Sequence, residues 1–296
     1  MFDLSKKINQ ILTLCLLAII WGSSFILMKK GLQSYSPTEI TLYRLFIVFI
    51  IFLPFGIKDL KKVKLKTGLI IFLSAIIGSA IPYFLFIKAQ TKIDSSLNGI
   101  LNSVTPLFTM LFGFLLFKQK INPKAIGGVV VGLVGASGLI IISTGGIEVN
   151  ENLLYAILPL LGSACYAFNV NLIKIYLGDI SAVKITSWSF LFIGPFAGFF
   201  LFFNTDFTNN LINNDPQLTN FLFINILGIV GTGFAVWFFN ILIKRTSSVF
   251  ASSVTYLIPI VAIFWGVFDG ETFTIYHGLL SALILTGIYL IKSEKN

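Results

Sequence analysis

Charge is what this sequence has least of. Only 11% of its 296 residues are Asp, Glu, Lys or Arg, where a soluble domain carries about 25%. With 56% of residues hydrophobic, a water-facing globular surface is excluded, and the long runs lack the alternation of a transmembrane barrel. Histidine is nearly missing: His277 stands alone. The two cysteines, Cys15 and Cys165, each lie within an apolar run. That leaves no ligand cluster for a metal and no disulfide framework. No phosphate-cradling glycine loop and no nucleophile–base pair is present either, so neither an enzyme nor a cofactor is expected. Acidic residues are missing where a proton-coupled carrier often has one, since none of the twelve lies deep in an apolar run. Those nearest the run ends are Glu39, Asp269 and Glu271, with His277 beside them. The net charge of +9 is no nucleic-acid signal, because the basic residues sit in short loops between the runs.

What is there is a series of ten apolar runs, at about 11–28, 38–57, 67–89, 95–117, 124–143, 153–175, 181–203, 218–242, 248–268 and 274–291. Each is near the ~20 residues that cross a bilayer at ~1.5 Å per residue. The fold class expected is all-α integral membrane. The first run follows Lys6 and Lys7, is too long for a signal peptide and is read as a retained helix. Placing both termini in the cytoplasm puts 16 of the 21 basic residues inside and 4 outside, the last being Arg44 within a run; 8 of the 12 acids fall outside. This is the asymmetry that sets topology in membranes, and it supports both the count and the orientation.

Residues 95–117 are repeated 153 positions later. Ser95 meets Ser248, Asn102 meets Thr255, Pro106 meets Pro259 and Gly113 meets Gly266. The match extends back, with Gly78-Ser79-Ala80 on Gly231-Thr232-Gly233 and Phe84 on Trp237. Five runs per half is an odd number, so the halves are inverted, with 1–145 as one repeat and 146–296 as the other. Inverted repeats with interrupted helices at matching places point to a binding site between halves and suit alternating access. Pro106 and Pro259 are the expected hinges.

Within the first copy, Ser95, Asn98, Asn102 and Thr105 fall on one helical stripe, which in lipid must face protein or a wet cavity. The expected pathway residues are Trp21, Arg44, Tyr83, Asn98, Asn102, Thr105, Trp237, Asn240, Thr255 and Tyr256. Neutral amides and hydroxyls with amphipathic rings suit a small zwitterionic or uncharged, partly apolar solute rather than a phosphate. For any one Asn, a helix–helix hydrogen bond is the commoner role. Arg44 is the only charge well inside a run. It is open to two readings, a ligand anchor or a carbonyl-bonded structural arginine. In the second half Ser189 takes its place, at an offset of 145 beside Thr41/Thr186. Gly128, Gly132, Gly135 and Gly138 in the fifth run, with Gly278, Ala282 and Gly287 in the tenth, permit close helix packing within the fold, or a homodimer face as the alternative.

The stretch AIIWGSSFILMKKGL from Ala18, Arg44 in the second run, the two prolines and the Asp269-Gly270-Glu271 turn resemble the EamA-type drug/metabolite transporters, over nearly the whole chain. The resemblance implies ten transmembrane helices as two inverted five-helix EamA repeats, a cavity centred on helices three, four, eight and nine, and export of metabolites or toxic compounds. Gln119 stands where that family often has Glu, and Tyr166 where it often has Trp. The expected function is a secondary carrier that moves a small, amino acid-like or amphipathic metabolite outward. The alternatives are an uptake permease or a non-transporting scaffold, for which no soluble stretch is evident.

Overall fold

Serine side chains and prolines decide where several helices begin. Helix α2 (Pro37–Ile57) opens on a reciprocal cap: Glu39 N–H donates to Ser36 Oγ (3.2 Å) and Ser36 N–H donates to Glu39 Oε2 (2.7 Å), with Pro37 in the first turn. Ser181 caps α7 (Ala182–Asn204) and Ser247 caps α9 (Ser248–Phe268) more simply, each hydroxyl accepting one backbone N–H, from Lys184 and Phe250. The computed structural model describes residues 6–58, 60, 63–119, 123–143, 151–212 and 216–292. Within them it is helical, with no strand. The remaining principal helices are α1 (Lys7–Gly31), α3 (Leu65–Ala89), α4 (Ser95–Leu115), α5 (Pro123–Ser143), α6 (Glu151–Tyr176), α8 (Leu218–Arg245) and α10 (Ile275–Lys292). A short helix, Phe207–Ile212, joins α7 to α8.

Eight of these are long and apolar enough to cross a membrane. The other two, α5 and α10, carry shorter apolar stretches at Val130–Ser143 and Ile275–Gly287. Of the ten expected crossings, length and composition therefore support eight. The expected run at 181–203 extends to Asn204, and that at 218–242 extends to Arg245.

Side-chain ties at helix ends mark two faces of the bundle. At one face Asn210 donates to Glu39 Oε1 (3.2 Å) and Asn220 to Ser34 Oγ (2.6 Å). At the other Lys244 Nζ donates to the Ile180 carbonyl (2.5 Å). The outer surface is apolar: Phe196, Phe203, Phe268 and Leu218 are exposed, as lipid contact requires of a helical bundle.

Three helices depart from regular α geometry, and a fourth is broken. Both α3 and α8 contain a π-helical segment, Ile76–Ala80 and Ile229–Phe234, starting 153 residues apart. Helix α4 breaks at Ser103–Val104 and resumes at Thr105; α9 tightens to a 3₁₀ turn over Ser253–Tyr256 and resumes at Ile258. Pro106 and Pro259 each sit in the first turn of the resumed helix, where a missing N–H costs no bond. The glycine faces of α5 and α10 meet within one chain. A methyl on Gly287 would lie 2.5 Å from the Gly128 carbonyl and the Gly132 nitrogen, and one on Gly135 would lie 2.9 Å from Ile284.

Candidate functional site

At the centre lies a cavity of about 100 Å³, lined from α1, α2, α3, α4, α6, α7, α8 and α9 and by none of the described residues of α5 or α10. The kinked segments supply much of its wall. The first π segment brings in Gly78 and Ser79, and the breaks of α4 and α9 bring in Asn102, Thr105, Val254 and Thr255. A bulge or break re-aims side chains and frees backbone groups, which is why such features gather at functional sites.

Of the expected pathway residues, Trp21, Arg44, Tyr83, Asn102, Thr105, Asn240 and Thr255 line this cavity. Asn98, Trp237 and Tyr256 do not. The Asn98 amide is fully buried and donates to the Phe86 carbonyl (2.8 Å), closing α4 against α3. Trp237 stacks beside Phe238 and joins the core around Tyr83 and Phe190, whereas Tyr256 packs among Leu97, Ile100 and Leu101. Several lining residues turn their polar groups to backbone. Trp21 Nε1–H donates to the Gly231 carbonyl (2.9 Å), Thr105 Oγ1 to Asn102 O (2.7 Å) and Thr255 Oγ1 to Ser252 O (2.9 Å). Asn240 donates to Thr186 Oγ1 (2.9 Å).

Arg44 is 4% exposed, and its guanidinium is held on two sides. Nε–H donates to Thr232 Oγ1 (3.0 Å), in the α8 π segment, and the group lies over the Tyr83 ring, 3.9 Å from its centroid. Nη1 approaches the Met28 sulfur at 3.8 Å. Among the described residues it has no acidic partner.

The wall carries the repeat. At an offset of 145, Trp21 pairs with Tyr166, Ser24 with Asn169 and Met28 with Ile173; at 153, Phe86 pairs with Phe239 and Asn102 with Thr255. Sequence reading named Asn169 as a polar group of the cavity and missed Phe86, Phe239 and Ser74 as wall residues. Ser74 donates to Asn169 Oδ1 (2.6 Å), and the absent side chain of Gly78 makes room for that amide.

One end of the bundle is closed by charge. Lys29 Nζ lies 2.8 Å from Asp269 and 2.8 Å from Glu271, and Lys30 lies 2.5 Å from Asp269. Glu271 also accepts from Ser95 N–H (2.9 Å), Ser95 Oγ (2.6 Å) and Ser96 N–H (2.9 Å), so a carboxylate after α9 caps the first turn of α4. Burial pushes the Glu271 carboxyl up, but the hydrogen bonds from Lys29, Ser95 and Ser96 outweigh it and bring it down to about 2. Hydrogen bonds from Lys29 and Lys30 hold Asp269 below the usual carboxylate range. At the opposite end the counterpart of Glu271 is Gln119. Each follows a residue at positive φ, Gly270 and Lys118, and each side chain fills the space left by a glycine, Gly266 and Gly113. Gln119 only donates to Asn171 Oδ1 (3.2 Å), and Lys174, the counterpart of Lys29, donates to the carbonyls of Ile243 (3.1 Å) and Thr246.

With this arrangement in view, the sequence finds its place among known proteins. The EamA-like transporter family matches residues 8–141 and again 153–293, and the chain belongs to that family. An Escherichia coli protein named as an uncharacterized inner membrane transporter, YedA, is 26% identical over 94% of this chain and 89% of its own. A Salmonella typhimurium protein named as a probable amino-acid metabolite efflux pump is 23% identical over 93% of this chain and 92% of its own. One crystal structure superposes with a TM-score of 0.68 at 15% identity, covering 98% of this chain and 100% of that one, which speaks to the fold alone.

Proposed function

We propose that this protein is a secondary carrier of a bacterial inner membrane that exports a small amino acid-like or amphipathic metabolite by alternating access. The observation that carries the reading is the central cavity between two matched sets of interrupted helices, with unequal side-chain ties at the two ends of the bundle. In this reading all ten principal helices cross the bilayer, as two inverted repeats divided near residue 145, with both termini in the cytoplasm. The family's two matches, at 8–141 and 153–293, support that division. Export and an amino acid-like cargo are supported by the printed name of the Salmonella relative.

The substrate pathway runs through the cavity, with Trp21, Arg44, Tyr83, Asn102, Thr105, Asn240 and Thr255 on its wall, and Pro106 and Pro259 mark the flexing points. Asn98, Trp237 and Tyr256 support the wall from behind. The experiment is counterflow in proteoliposomes of the purified protein, preloaded with a mixture of amino acids and small metabolites. Selective exchange of one class above protein-free vesicles is the expected result. Exchange no faster than in protein-free vesicles, from folded protein, would overturn the carrier reading.

A further inference from the structure

Two of the places where the repeat pairing of the cavity wall changes chemistry adjoin each other. Arg44 pairs with Ser189, and Tyr83, on whose ring Arg44 lies, pairs with Val236. All four residues line the cavity. A pseudo-symmetric chamber is thus cationic on one side only. Among the described residues Arg44 is also the single charged one on the wall.

A guanidinium in a membrane interior is costly and is retained where it meets a partner. Here the partners account for only part of its donors. Arginine has five N–H groups; Thr232 takes one, and Met28 sulfur offers weak acceptance of another. Nη2 makes no hydrogen bond among the described residues. The Tyr83 face and Thr232 fix the plane of the fork, so its unfilled edge is preorganised rather than free to swing.

We infer that Arg44 is the docking point for the carboxylate of an amphipathic monocarboxylate, whose apolar body lies toward the Ser189 and Val236 side. One cation without an acid beside it matches one negative head group. A doubly ionised phosphate would leave charge uncompensated. The ligand enters with a fixed polarity, because only one of the two repeat-related positions can hold its head. The inference rests on the carrier reading above and names the class of its cargo.

The test uses matched probes on the purified full-length protein in detergent: 3-phenylpropionate against 3-phenylpropionamide, and L-phenylalanine against L-phenylalaninamide, titrated by calorimetry. The carboxylate of at least one pair binds roughly tenfold to a hundredfold tighter than its amide, the range expected for hydrogen bonds to a charged group. Arg44→Gln removes that preference, while Arg44→Lys, which keeps the charge without the planar fork, retains part of it. Equal binding of acid and amide, binding of neither acid at millimolar concentration, or a preference that survives in Arg44→Gln overturns the inference. Tighter binding of phenylphosphonate than of either acid overturns the head-group assignment. If Arg44→Gln does not fold, the wild-type comparison of acid with amide still decides. Failure of the carrier reading is distinguishable. Vesicles that exchange acid and amide alike refute only the Arg44 assignment, whereas selective binding of the acid without any exchange refutes only transport.

Discussion

Gly78 shows how closely single residues are fitted around the cavity. A β-carbon there would sit 2.0 Å from Asn169 Nδ2, so the amide would have to swing away and give up the hydroxyl of Ser74. Gly78→Ala is expected to cost about 1–3 kcal/mol, as overpacking does, and to lower the melting temperature in detergent. Gly231→Ala, whose new methyl would meet the Ser24 hydroxyl at 2.9 Å and Leu227 Cδ1 at 3.5 Å, should cost less. Glu271 belongs to this scale too. Its native pKa, about 2, lies below the ordinary 4.5. The stabilisation it gives is therefore complete above the ordinary value and is lost only as pH falls through about 2. Closure of the Glu271 end should be flat between about pH 5 and 8. Glu271→Gln, by contrast, removes the ion pair with Lys29 at every pH. Both outcomes can be read from one cysteine at Ser24, in a background without Cys15 and Cys165, labelled with a bulky maleimide. Because maleimide reacts with the thiolate, each rate is divided by that of the same cysteine in the unfolded protein at the same pH. The ratio should not vary across that window in wild type and should rise in the Gln variant, and a ratio that climbs steadily toward pH 5 in wild type would sink the argument.

At the scale of elements, the breaks in α4 and α9 lie before the prolines rather than at them. Ser103 and Val104 N–H already bond three residues back, to Ile100 and Leu101 carbonyls, and Thr255 ties its own hydroxyl to Ser252. Restoring a backbone donor at 106 or 259 lets the helix run on through the break. Pro106→Ala and Pro259→Ala should therefore slow exchange in vesicles while leaving the affinity for a bound ligand within a few-fold, and a loss of binding equal to the loss of flux would reassign both prolines to the cavity itself. These elements were legible in the sequence because Pro, Gly and polar positions recur together at one offset. The stripe through Asn98, Asn102 and Thr105 was legible as a face, yet periodicity does not say what a face meets: Asn102 reaches the cavity and Asn98 a carbonyl of α3. The π segments of α3 and α8 coincide with the matched Gly-Ser-Ala and Gly-Thr-Gly triplets, but composition alone does not distinguish a π turn from an α turn.

For the whole molecule, the class of fold followed from runs of apolar residues, and the clamp at the Glu271 end did not. Lys29 and Glu271 are 242 residues apart, and no local pattern joins them. Ten crossings were read, and among the described residues eight helices are long and apolar enough to cross a membrane, with shorter apolar stretches in α5 and α10. If the two halves exchange conformations, opening at one end accompanies closure at the other. Spin labels on exposed residues test this, with one pair at Thr91 and Gly270 and another at Lys118 and Arg245. In vesicles the long-distance population of one pair should grow as that of the other shrinks, and independent variation would exclude a rocking exchange. The unequal closures have a further consequence. A passive carrier cannot choose its net direction by the strength of its gates, because the chemical gradient alone sets the sign of flux. What an ionic clamp at one end and a neutral amide at the other do fix is where the empty carrier idles, and hence which return stroke limits the cycle.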